Sequence, residues 1–211
     1  AIAGKTTGVV TATLAADSLS NLGSLTTAGT DAITITVNDA DAASVTAANL
    51  STLGGKTSGT VTVTNAVAIS GSRAEATAAL VTTGTLVEVS EATVTINDAD
   101  GVALNATDLS AIGAKTTGTV TVTNAVAISG NTSESTAALV TSGSLVEVSD
   151  ATVTLSDTPS ISALNAIAGK TTGVVTATLA ADSLSNLGSL TTAGTDAITI
   201  TVNDADAASV T

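Results

Sequence analysis

Three short acidic loops are where side chains in this sequence could do chemistry. Asn38-Asp39-Ala40-Asp41 follows the alternating run ITITV and recurs at Asn203-Asp204-Ala205-Asp206. A third version, Asn97-Asp98-Ala99-Asp100, is followed by Gly101. Closely spaced carboxylate and amide oxygens are the hard ligands that Ca²⁺ takes. Asp39, Asp41, Asp98, Asp100, Asp204 and Asp206 are therefore the candidate metal ligands, with Ca²⁺ the candidate ion. The spacing matches the start of an EF-hand loop but lacks the bidentate Glu that completes one. Asn and Asp are also common turn formers, which gives the same residues an architectural use.

Two further patterns invite a chemical reading. Thr alternates with aliphatic residues in the strand-like runs: Thr34 and Thr36 fall between Ile33, Ile35 and Val37, and Thr11, Thr13, Thr62, Thr93, Thr95, Thr121, Thr152 and Thr154 fall likewise. Outward Thr ladders would suit an ice- or mineral-facing surface, although Thr also suits any solvated sheet face. The turns at Lys5, Lys56, Lys115 and Lys170 read GKTTG, GKTSG, AKTTG and GKTTG. They are not phosphate loops, because GxxxxGK[ST] needs Gly where Leu50 and Leu164 stand. Lys followed by Gly near a helix end is ordinary capping chemistry.

Catalysis has little material. The chain holds no His and no Cys, so the common base and nucleophile pairings are absent, and no enzymatic activity or required cofactor is expected. The net charge of −13, from 18 acidic and 5 basic residues, argues against nucleic acid and anionic membrane surfaces. No apolar run reaches the roughly 18–20 residues of a membrane-spanning helix, so no membrane insertion is expected.

The elements that must position these loops come from repetition. Residues 166–211 are identical to residues 1–46, an offset of 165. GTVTVTNAVAISG at 59–71 returns at 118–130, and LVEVS at 86–90 returns at 145–149, both at an offset of 59. Alternating strands are expected at 10–14, 33–37, 61–63, 94–96, 120–122 and 153–155, which is six in 165 residues or 27.5 residues per coil. Between them, Leu19 with Leu22 and Leu25, Leu50 with Leu53, Leu109 with Ile112, and Leu164 with Ile167 mark one or two helical turns. AVAIS and LVEVS add extended pieces to some coils.

The 44% hydrophobic content is nearly all Ala, Val, Leu and Ile, with no Phe, Tyr, Trp or Met. Such a core fits a narrow, regular interior of like layers. The expected fold is thus a right-handed parallel β-solenoid, β-helix-like, with short helical turns. It would run continuously over 1–211, with 1–165 as one six-coil period and 166–211 as its copy. Neither end reads as a polar cap, so the chain is expected to be part of something longer or to stack on copies of itself, end to end or laterally.

DLSAIGAKTTGTVTVTNAVAISG, ATVTLSDTPSISALNAIAGKTTG and AITITVNDADAASVTAANLSTLGGKTSG resemble the tandem repeats of giant cyanobacterial cell-surface proteins, a group loosely joined to hemolysin-type calcium-binding proteins. The resemblance implies export, an extracellular or cell-surface location, and adhesive or structural work. The nonapeptide GGxGxD of that wider group is absent, so its calcium-roll chemistry is not carried to any residue here. Together these readings imply a structural module of an extracellular filament, surface layer or giant adhesin. The alternatives are an ice-binding or mineral-facing Thr-ladder surface and a Ca²⁺-dependent adhesion module, with a surface or polysaccharide as ligand.

Overall fold

A computed structural model describes residues 2–204. The chain opens with a 3₁₀ turn, Ala3–Lys5. There follow β1 (Thr11–Thr13), α1 (Leu19–Leu22), β2 (Ala32–Val37), β3 (Ser44–Thr46), α2 (Ala47–Gly54), β4 (Val61–Val63), β5 (Ala68–Gly71), α3 (Arg73–Leu80) and β6 (Thr93–Ile96). Then come β7 (Ala103–Asn105), α4 (Ala106–Gly113), β8 (Val120–Val122), β9 (Ala127–Gly130), α5 (Thr132–Leu139) and β10 (Val146–Glu147). The last elements are β11 (Thr152–Leu155), α6 (Ile161–Ala168), β12 (Val175–Thr178), α7 (Leu184–Leu187) and β13 (Ala197–Thr199).

The chain divides into two units, Ala1–Asp98 with Ala111–Val122, and Ala99–Ser110 with Thr123–Thr211. In the first, β1, β2 and β4 make one parallel sheet, while β3, β5, β6 and β8 pair in that order in another. In the second, β7, β9, β11, β12 and β13 pair in parallel in that order. Parallel pairs need crossover connections, and the helices between strands supply them.

This corrects the fold expected from the sequence. The described chain is an α/β arrangement of three parallel sheets of three to five strands with seven α-helices, not a single right-handed β-solenoid of 27.5-residue coils. Two physical features separate the outcomes. First, the connections are true helices. α2 through α6 each run eight residues, and α3 and α5 begin with full capping boxes, Ser72 with Glu75 and Asn131 with Glu134. Second, one strand per coil undercounts the strands. β3 and β7 each bury a single side chain, Val45 and Leu104, which is too few to show as alternation. The chain therefore leaves one sheet for another between β2 and β3, within the span assigned to a single coil.

Within the strands the inward and outward sorting follows the sequence pattern. Ile33, Ile35 and Val37 are 2%, 0% and 1% exposed, while Thr34 faces solvent and Thr36 is half-buried. The helices bury Leu50 and Leu53 in α2, Leu109 and Ile112 in α4, and Leu164 and Ile167 in α6, all fully. Each such side chain contributes on the order of 1.5–3 kcal/mol by leaving water. Among the described residues, no helix is long and apolar enough to cross a membrane.

Candidate functional site

The acidic loops sit where strands end and helices begin, and their carboxylates are engaged with backbone. Asp39 Oδ2 accepts the Leu19 amide of α1 at 2.7 Å, and Asp98 Oδ2 accepts the Arg73 amide of α3 at 2.6 Å. Asp204 Oδ2 accepts the Leu184 amide of α7 at 2.9 Å. Each of these amides is the first of its helix, one of the donors that a helix leaves without an internal partner. A carboxylate there satisfies the donor and also meets the positive end of the helix dipole. Asp157 does the same for α5, accepting the Thr132 amide at 2.7 Å and its hydroxyl at 2.6 Å.

Sequence reasoning passed over Asp157 because Ser156-Asp157 lacks the doubled acid. Its spacing of 59 from Asp98 is the signal that would have found it.

The second acid of each loop points the other way along the chain. Asp41 Oδ1 accepts the Ala66 amide and Asp100 Oδ1 the Ala125 amide, both at 3.0 Å. The next residue turns the backbone so that the Ala42 amide donates to Ala66 O and the Gly101 amide to Ala125 O, both at 2.8 Å. That turn needs a left-handed residue: φ is 58° at Ala42 and 74° at Gly101. Asp206 lies outside the described residues. Among the described residues, no group of three or more carboxylates is placed to hold a metal ion. Each described candidate ligand is instead tied to backbone about 20–25 residues away.

The Lys-Thr turns form a second set of ties. Thr57, only 5% exposed, accepts the amides of Ile33 at 2.7 Å and Gly59 at 2.8 Å. Its hydroxyl faces the carbonyls of Asp31 and Ile33, each at 2.8 Å. Thr116 and Thr171 repeat this on the Ala92 and Ala151 carbonyls, both at 2.6 Å. The Gly that ends the turn lets the backbones meet: a Cβ at Gly59, Gly118 or Gly173 would lie within 2.4 Å of a carbonyl oxygen of the layer beneath. Asp31, 4% exposed and also missed from sequence, completes this node by accepting the Val10 amide at 2.9 Å and the Ala28 amide at 3.0 Å. Lys56 donates from Nζ to Leu25 O at 2.5 Å.

The strand hydroxyls form mixed columns. Thr46, Ser70, Thr95 and Thr121 align in the first unit, and Asn105, Ser129, Thr154 and Thr176 in the second. Two carboxyls are held below the ordinary carboxylate range. Asp17 is held there by the Asn21 amide side chain and then the Ser18 N–H, and Asp157 by the Thr132 hydroxyl.

A cleft of about 590 Å³ in the second unit is lined by Pro159, Ser160, Asn165, Leu179, Asp182 and Asn186 among others. Its polar groups are engaged locally: Asn165 bonds Ser189 O and the Thr191 amide, and Asp182 accepts from Asn186. The cleft is bordered by α6 and α7.

No protein-family model, no curated protein and no solved structure matches this chain.

Proposed function

We propose that this chain is a structural module of an extracellular filament or surface layer, with mechanical rather than chemical work. The observation that carries the reading is the use of the acidic and hydroxyl side chains. Asp39, Asp98, Asp157 and Asp204 cap helices from a neighbouring repeat, and Thr57, Thr116 and Thr171 tie one strand layer to the one before it. Groups used this way resist separation of layers and are not held ready for a substrate. The low content of basic residues, the absence of His and Cys, and the repetition of the same ties support the same reading.

A calcium titration tests it. The structural reading expects no saturable heat in calorimetry and the same melting temperature in calcium and in EDTA. A saturable heat with a raised melting temperature would make the acidic loops binding sites and overturn the reading.

A further inference from the structure

The hydroxyl side chains of this chain fall into two sets. Those in the turns are tied to backbone: Thr57, Thr116 and Thr171 bind carbonyls of a neighbouring layer, and so do Thr27 and Ser58. Those on the outer side of the sheet formed by β3, β5, β6 and β8 are not. Thr46 Oγ1 accepts the Asn49 amide at 3.2 Å as the cap of α2. Among the described residues, the hydroxyls of Ser44, Ser70, Thr93, Thr95, Thr119 and Thr121 have no protein partner. All of them face solvent wholly or in part.

These residues make a two-dimensional array. Ser44, Ala68 and Thr93 stand in one column, and Thr46, Ser70, Thr95 and Thr121 in the next. Thr119, whose carbonyl accepts the Val94 amide at 2.9 Å, extends the first column. Neighbours in a column are one strand apart, about 4.7–4.9 Å, and the columns are two residues apart, about 6.6 Å. Between the columns Val45, Ile69, Val94 and Val120 are buried, which fixes each strand from below. Thr is also stiff at χ1. Every position in the two columns except Ala68 is Ser or Thr, and none is charged, in a chain of net charge −13.

We propose that this face binds ice. A neutral, rigid array of hydroxyls and methyls narrows the choice of partner. A mineral lattice is met by carboxylates, and the columns hold none. A sugar ring is met by aromatic stacking, and the chain has no Phe, Tyr or Trp. The spacing within a column lies close to the repeat of oxygen atoms along a prism face of ice. One hydroxyl bond contributes little, because liquid water offers the same bond. A fixed array differs: water held by many hydroxyls at once, with Thr methyls filling the gaps between them, already has much of the order of the crystal. The inference goes beyond the structural reading and does not depend on it.

The second unit supplies a control. Its matching columns read Ala103, Ala127 and Thr152, then Asn105, Ser129, Thr154 and Thr176, so methyl and amide groups interrupt the hydroxyls. Thermal hysteresis and partition of the full chain into slowly growing ice test the proposal. The wild type is expected to shape ice crystals, to show a freezing gap that grows with concentration, and to enrich in the ice. Thr93→Lys and Thr95→Lys each set a long cation inside the array and are each expected to lower the partitioned fraction about tenfold. Thr154→Lys is expected to leave it at the wild-type level. The melting temperature shows that each variant folds, and a loss at either position in a variant that melts like the wild type supports the proposal. A wild type excluded from ice and without hysteresis would overturn it. So would array variants that partition like the wild type, a Thr154→Lys chain that loses as much as they do, or retention on crystalline cellulose in place of ice. A chain that neither binds ice nor responds to calcium would remove this inference and leave the structural reading in place.

Discussion

Residues 2–39 and their copy at 167–204 are one sequence in two surroundings. Much is shared. The helix Leu-Ser-Asn-Leu forms both times, capped by Ser18 and by Ser183. The Leu14 amide binds Thr34 O at 3.0 Å, and the Leu179 amide binds Thr199 O at 3.0 Å. Asp39 caps α1 as Asp204 caps α7. Strand length and burial differ. β2 runs six residues where its copy β13 runs three, and Ile2 is 80% exposed where Ile167 is fully buried. Caps and turns are thus written into the block itself. Strand extent and core burial are supplied by whichever layer adjoins it, as the context dependence of strand formation requires.

The largest expected effects fall on the buried members of each pair. Ile167→Ala should cost about 3 kcal/mol in urea unfolding, whereas Ile2→Ala should change stability by no more than about 0.5 kcal/mol. The order reverses between the copies at the other face, where Ile35→Ala is costly and Ile200→Ala is mild. Equal losses for both members of either pair would break the comparison. Next comes the close approach of backbones. Gly173→Val forces a side chain onto the Ala151 carbonyl and should cost about 2 kcal/mol, while Gly8→Val should leave the melting temperature of the single chain unchanged.

The shared features should respond alike. Asp39→Ala and Asp204→Ala each remove a helix cap and should each cost about 1 kcal/mol in thermal unfolding. A smaller gain is expected from Ala42→Gly, about 0.5 kcal/mol, because relief of the left-handed strain slightly exceeds the entropy that Gly adds to the unfolded chain. Its counterpart Gly101 already has that relief.

The smallest effect is in pH. The Asp17 and Asp157 carboxyls are held below their ordinary range when folded, so the unfolded chain binds more protons there. Their contribution is present above the ordinary carboxylate pKa, about 4, and is lost as pH falls through the lower folded values. Acid titration of the melting temperature should show this loss, and Asp157→Asn should flatten it.

The alternating strands and the Leu-marked helices were legible because each carries its own periodicity. α3 and α5 were not, because each buries a single Leu, Leu80 or Leu139, beside the small Ala76 with Ala79 and Ser135 with Ala138, which make little hydrophobic stripe. Their capping boxes, Ser72 to Glu75 and Asn131 to Glu134, were the available signal. The division into several sheets was hidden for a related reason, since strands that bury one side chain have no period to read. The acidic loops stood out in the sequence, but the backbone partners of their carboxylates did not. An Asp that binds a backbone N–H some 20 residues away has a partner with no sequence signature, which is also why Asp31 and Asp157 went unmarked.

Those carboxylates tie one repeat to another, and native-state hydrogen exchange reads the ties directly. The first amide of a helix ordinarily lacks an internal partner and exchanges fast. Here the amides of Leu19, Arg73, Thr132 and Leu184 should be protected well beyond unfolded-peptide rates, and Asp98→Ala should release Arg73 alone. Exchange of these four amides at unfolded-peptide rates in the wild type would contradict the account.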